Sequence, residues 1–270
     1  MKQFIIELYP SFKTLVPKYE TTKEVFYMFL DQQGVYIRSL GDSALVIQFD
    51  VEISAFIHNK IMNIVILLET KPFAGFIEAV PGYNNITVYY DPVTVHYHNQ
   101  YGFKKTAFEI VSASIIEYVK KSEDNLFIKK KKVNIPVLYG ERFGPDLEYV
   151  AKFHDITPEK VIELHTNKDY LVYMLGFAPG FPYLADLDEK IATPRKTKPR
   201  PNIPIGSVGI AGKQTGMYPL ESPGGWQVIG QTPVNLFTPK ASPPTLLKPG
   251  DEIRFIPITE DEYYSYKEME

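Results

Sequence analysis

The residues best equipped for chemistry in this 270-residue chain lie between His165 and Gln227. A basic loop, ATPRKTKPRPNIP (192–204), carries Arg195, Lys196, Lys198 and Arg200 among prolines at 194, 199, 201 and 204. Proline restricts φ, so less entropy is lost when a charged side chain in such a loop is held on a ligand. A guanidinium at Arg195 or Arg200 can grip a carboxylate or phosphate through two parallel bonds. The competing reading is solvated surface, and for the two lysines it is the stronger one. Gln214, Tyr218, Trp226 and Gln227 add donors and aromatic faces suited to a small polar ligand, while Trp226 serves equally well as a core anchor. His165 ends a predicted helix, where it either reaches a pocket wall or stabilises the helix end.

Other signatures are weaker. GSVGIAGK (206–213) resembles a phosphate loop but has five residues between its glycines, and Gln214 stands where Ser or Thr would hold magnesium. No GxGxxG, HExxH or GxSxG pattern occurs. Ser207 and Ser222 lie in glycine-rich surroundings with no histidine nearby in sequence, which favours turn roles. His96 and His98 alternate on VHYH, so on a strand both would share one face, a two-ligand edge without a third ligand. No metal site is expected.

Composition narrows the classes. Hydrophobic residues at 44% and charged residues at 23% are ordinary globular values. A net charge of −3 provides no field for nucleic acid or an anionic membrane. The absence of cysteine excludes disulfides and thiolate chemistry and fits a cytoplasmic setting. The longest apolar run, IMNIVILL, falls well short of the roughly 20 residues of a spanning helix.

Residues 1–34 read as an N-terminal extension, whether ordered, mobile or preceding a true start at Met28. Strand-like runs at 35–50 precede a helical pattern over 51–68, with Ile53, Phe56, Ile57, Ile61, Ile64 and Val65 at helical spacing. Two strands at 75–91, a helix at 104–121 with Phe108, Val111, Ile115 and Val119 on one face, and a strand at 133–139 follow. The order β-α-β-β-α-β predicts a ferredoxin-like α+β domain, placed at 35–130. The charged stretch 122–132, with four lysines at its end, predicts a linker or edge strand more than a phosphate patch. Thr157 and Pro158 predict the start of a helix. Beyond 170, short strands separated by Gly or Pro predict a mainly-β domain over 131–270 with a fraying polar tail at 259–270.

Several strings carry a family resemblance: GDSAL (41–45), PGYNNITVYYDP (81–92), IPVLYGERFGPDLEYVA (135–151), HTNKDYLVYMLGFAPGFPYL (165–184), the segment 192–219, and SPGGWQVIGQTP (222–233). Over residues 35–257 the chain resembles the family of 5-oxoprolinase B subunits. That group includes the sporulation kinase inhibitor and allophanate hydrolase subunit 1, of carboxyltransferase-domain type. The resemblance implies a cyclophilin-like β-barrel as the second domain. It implies one component of an enzyme, inactive alone, that acts with an A component and a carboxyltransferase-like C component to open 5-oxoproline to L-glutamate. ATP with Mg would be used by the assembled complex, with no cofactor held tightly by this chain and no nucleic acid or membrane partner. The alternatives it leaves are a regulator of a sensor histidine kinase and a urea- or allophanate-linked protein. Carried over by position, the implied catalytic residues are His165, Arg195 and Arg200. The implied substrate contacts are Tyr173, Phe181, Tyr183, Ser207, Gln214, Tyr218, Trp226 and Gln227. Gln231 departs from the family pattern, which has arginine there, so an anion held at that position would need another cation.

Overall fold

The computed structural model describes residues 27–30, 34–99, 104–122 and 131–269. Contacts divide the chain into two compact units, 1–128 and 129–270.

In the first unit an antiparallel sheet runs in the order β1 (Tyr27–Leu30), β2 (Val35–Ser39), β3 (Ala44–Phe49), β5 (Asn85–Tyr90), β4 (Phe76–Pro81). Strand β1 comes from within the predicted extension and pairs along the whole of Leu30↔Val35 to Tyr27↔Arg38. Helix α1 (Ala55–Thr70) starts at Ser54, whose hydroxyl accepts from the Ile57 amide at 3.3 Å. Its buried stripe is Ile57, Ile61, Ile64, Val65 and Leu68, whereas Ile53 and Phe56 of the predicted stripe face solvent. A short helix, α2 (Pro92–Tyr97), follows β5. Helix α3 (Ala107–Lys121) opens with a capping box between Thr106 and Glu109, which satisfies amide groups at both ends of that turn. It buries Val111, Ile115 and Val119 in the same core as α1.

Two expectations for this unit need correction. The segment containing His96 and His98 is not a strand but α2 and its C-cap. Asp91 accepts from the Val93 amide at 3.0 Å and Pro92 occupies the first turn, so the chain is steered into a helix. Two residues apart on a helix, side chains diverge by about 200°, so the two imidazoles share no face. Among the described residues no cluster of three or more His, Asp or Glu side chains could hold a metal ion. The ferredoxin-like order also fails at its last strand. Strand β6 (Lys132–Tyr139) does not join this sheet and runs parallel to β14 (Glu252–Pro257), with Ile135 opposite Phe255. Alternating apolar residues identify a strand but say nothing of its partner. The remaining readings of residues 1–26 and of 123–130 lie outside the described residues.

The second unit adds β7 (Tyr170–Leu175), β8 (Pro182–Leu184), β10 (Ser207–Ala211), β11 (Gln214–Met217) and β13 (Gln227–Gln231) to β6 and β14. These seven strands close into a barrel in the order β10-β11-β8-β7-β14-β6-β13. A separate ribbon pairs β9 (Arg200–Ile203) with β12 (Ser222–Gly224). The barrel is filled by Ile135, Val137, Val172, Leu184, Val208, Ile210, Met217, Ile229 and Phe255. Helices α4 (Leu147–Phe153) and α5 (Pro158–Thr166) add Leu147, Val150, Val161 and Leu164 to that core. Thr157 caps α5, accepting from the Lys160 amide at 3.2 Å. The tail is ordered rather than frayed: α6 (Glu260–Met269) begins with Thr259 and Glu262 in a reciprocal cap, and Tyr263 is buried against Phe143.

Candidate functional site

Alternation along β8, β11 and β10 sorts the candidate residues. Leu184, Thr215, Met217, Val208 and Ile210 are buried on the side that faces the barrel core. Their neighbours Tyr183, Gln214, Gly216, Ser207, Gly209 and Ala211 therefore lie on the outer wall, with Gly216 opposite both Tyr183 and Gly209. Against this wall sits a second, smaller core of Phe181, Ile203, Ala211, Tyr218, Trp226 and Val228. The sites of interest flank the barrel rather than occupying its lumen.

Phe181 is the hub of this cluster. Its ring meets Trp226 edge-on at 5.4 Å, Tyr218 at 5.2 Å and Tyr183 at 4.9 Å between centroids. Two glycines make the arrangement possible. A Cβ at Gly216 would stand 3.1 Å from the Phe181 ring and 2.8 Å from the Pro182 carbonyl oxygen. One at Gly224 would stand 2.5 Å from the Tyr218 hydroxyl and 2.6 Å from Ile203. The density of glycine in this region thus admits aromatic rings at close quarters. Phe181, Tyr218 and Trp226 are 1, 2 and 5% exposed, so they form the floor. Half-buried Tyr183, exposed Arg195 and Phe177, at 63% exposure, form the rim. Phe177 carries no sequence signal for a site beyond its place in the GFAPGF string. Its φ of 66°, unusual for a bulky residue, holds its ring 5.5 Å from Phe181.

The Arg195 guanidinium lies 5.9 Å above the Trp226 ring and forms no ion pair among the described residues. Burial pushes the Tyr218 hydroxyl up to about 12, with Arg195 pulling the other way, so it is a neutral hydrogen-bonding group at physiological pH. The Tyr183 hydroxyl is raised for the same reason. Gln227 is buried; its Nε2 donates to the Pro194 carbonyl at 2.8 Å, and its Oε1 has no hydrogen-bond partner among the described residues. Ser207 is buried at the base of the wall, its carbonyl accepting from the Tyr218 amide at 2.9 Å. Gln214 lies half-buried at the far end of β11, opposite Ala211.

Three candidates are placed elsewhere. His165 is fully buried inside the barrel. Its Nδ1 is 2.7 Å from the Tyr139 hydroxyl, its Nε2 is 2.9 Å from the Thr215 hydroxyl, and its ring stacks on Phe255 at 4.4 Å. Burial lowers its pKa to about 3. With both nitrogens engaged and no solvent contact, His165 holds the barrel together and has no free nitrogen for a ligand. Tyr173 is buried on β7 and donates to Asp186 at 3.0 Å. Arg200 grips Asp146 through bonds of 2.6 and 2.8 Å, so its two-pronged donor face is already taken.

Asp146 is a further residue that sequence reasoning does not reach. It lies in a GPDLEYV string whose local signal is only that of a helix start. Burial works to raise its pKa, but bonds from Arg200, Lys196 and the Val228 amide outweigh that and hold the carboxyl below its usual range. Gln231 donates to the Ile205 carbonyl at 2.6 Å and so tethers the turn before β10.

Segment 206–213 does not fit a nucleotide phosphate. Residues 207–211 of the near-match loop are strand β10, paired on both sides in the barrel ladder. A Cβ at Gly206 would stand 2.3 Å from the Thr232 carbonyl oxygen, so that turn is packed on protein. The outer wall instead offers the Arg195 guanidinium, which has no ion-pair partner among the described residues, on an aromatic floor, a surface for a small ligand with an anionic group.

The family described as carboxyltransferase domain, subdomain C and D, matches residues 35–247. The chain is 48% identical over 232 residues to the 5-oxoprolinase B subunit from Bacillus subtilis, spanning 86% of this chain and 96% of that protein. It is 40% identical over 221 residues to the protein of that name from Escherichia coli O157:H7, spanning 82% of this chain and 95% of that one. The crystal structure of TTHA0988 superposes with a TM-score of 0.66 at 33% identity over 80% of this chain, which spans only 40% of that longer chain.

Proposed function

The chain belongs to the family of 5-oxoprolinase B subunits, and we propose that it is the B component of an ATP-dependent 5-oxoprolinase, opening the lactam to L-glutamate together with A and C components. The observation that carries this reading is the 48% identity across 96% of the Bacillus subtilis protein of that name. In this reading the chain works in a cytoplasmic hetero-oligomer and is inactive alone.

A lactam is unreactive because its nitrogen donates into the carbonyl. Phosphorylating the amide oxygen would remove that stabilisation and allow hydrolysis, a route that requires donors and positive charge around the developing phosphate. The outer wall supports a binding role for this chain. Arg195 would meet the carboxylate of 5-oxoproline, and the aromatic floor would pack its ring. The rim residues Phe177, Tyr183 and Arg195 include no general base and segment 206–213 offers no phosphate cradle, which supports a reading in which ATP and magnesium are held by the rest of the assembly.

The test is conversion of 5-oxoproline to glutamate with ATP turnover by the three co-expressed components, and none by this chain alone. Full activity of the A and C components with this chain omitted would overturn the proposal. Titration against the autophosphorylation of a sensor histidine kinase would then be the next assay.

A further inference from the structure

The segment that carries Arg195 is stapled down at several points. On the backbone, the Lys196 amide donates to the Gly225 carbonyl at 2.7 Å, and the Pro194 carbonyl accepts from Gln227. Through side chains, everything converges on one carboxylate. Asp146 accepts from Lys196 Nζ at 2.9 Å, from Arg200 at 2.6 and 2.8 Å, and from the Val228 amide at 2.7 Å. Its own amide donates to the Val228 carbonyl at 2.8 Å. The turn before α4, the basic loop and β13 therefore meet at this residue.

We propose that Asp146 is the positioning residue of the outer-wall site: its carboxylate closes the basic loop onto β13 and so holds Arg195 over Trp226. The inference rests on reading that wall as the substrate-facing surface. Two features separate this contact from an ordinary surface ion pair. Asp146 is 4% exposed at its side chain, whereas Lys213 and Glu189 of an exposed pair in the same unit are 69 and 76% exposed. It also bonds a backbone amide as well as two cations, so no single partner can replace it. Asp146 touches no reacting group in this arrangement. It acts through Lys196 and Arg200 on the loop that presents Arg195.

Trp226 is the only tryptophan in the chain, so its fluorescence reports this site directly. Asp146→Asn keeps the size of the side chain and removes its charge. The variant should raise acrylamide quenching of Trp226 roughly two-fold and raise the KM of the assembled complex for 5-oxoproline about ten-fold, because displaced binding groups lose affinity steeply. Glu189→Gln, which breaks the exposed pair, should change neither. Wild-type quenching in a cooperatively melting Asp146→Asn variant would overturn the proposal. If that variant fails to fold, Arg200→Gln is the second test, since it leaves the Lys196 and Val228 bonds in place; wild-type quenching in that variant is equally fatal. A wild-type complex without lactamase activity would defeat the functional reading while leaving the fluorescence result to decide the positioning role.

Discussion

Arg200 and Asp146 form a two-pronged ion pair across 54 residues of sequence, with the carboxylate almost wholly buried. That pairing decides which arginine of the basic loop is available. Arg195 stands outside it and, with no ion-pair partner among the described residues, lies above Trp226.

The two arginines should therefore separate in mutagenesis. Arg200→Ala leaves Asp146 buried without its main partner and should cost about 3 kcal/mol of stability, read as a lowered urea midpoint. Arg195→Ala should stay within about 0.5 kcal/mol of wild type and weaken substrate binding instead. Equal stability losses in the two variants would contradict the assignment.

His165 predicts a pH dependence. Its folded pKa of about 3 lies below the unfolded value of 6.5, because burial disfavours the charged form. The unfolded state thus binds more protons between these limits, and stability falls as pH drops from 6.5 towards 3. Over the full window this amounts to roughly 4 kcal/mol. His165→Gln should flatten the slope between about pH 4 and about pH 6.5 in denaturant titrations, at the cost of lower stability near pH 7. An unchanged slope would show that another group drives it.

Gly224→Ala should disturb the aromatic floor. Its Cβ would collide with Tyr218 and Ile203, and overpacking of this kind costs about 1–3 kcal/mol. A shifted Trp226 emission maximum is the expected signature. Wild-type emission and stability would mean that the ribbon yields without moving the floor.

Removing α6 by truncation after Thr259 should expose Phe143 and delete its contact with Tyr263. The loss of one buried aromatic contact and its area is expected to cost about 2–4 kcal/mol, with the Trp226 signal unchanged. No loss in thermal melting would return the tail to a peripheral role.

Much of this molecule is legible locally. The Thr157-Pro158 start of α5, the apolar face of α3 and the short strands after residue 170 are all properties of neighbouring residues, and backbone sterics and capping act at that range. Local signals can also compete. Asp91-Pro92 announces a helix, yet the alternation of His96 and His98 imitates a strand across the same few residues.

By itself the sequence determined the family and the strand-rich second unit, because motif strings and side-chain periods are written along the chain. The tertiary structure alone decided that β6 joins the barrel, that His165 is sealed inside it, and that Asp146 engages Arg200 rather than Arg195. Those outcomes depend on which distant segments meet when apolar surface is buried, and a contact between remote positions leaves no periodic trace in either segment.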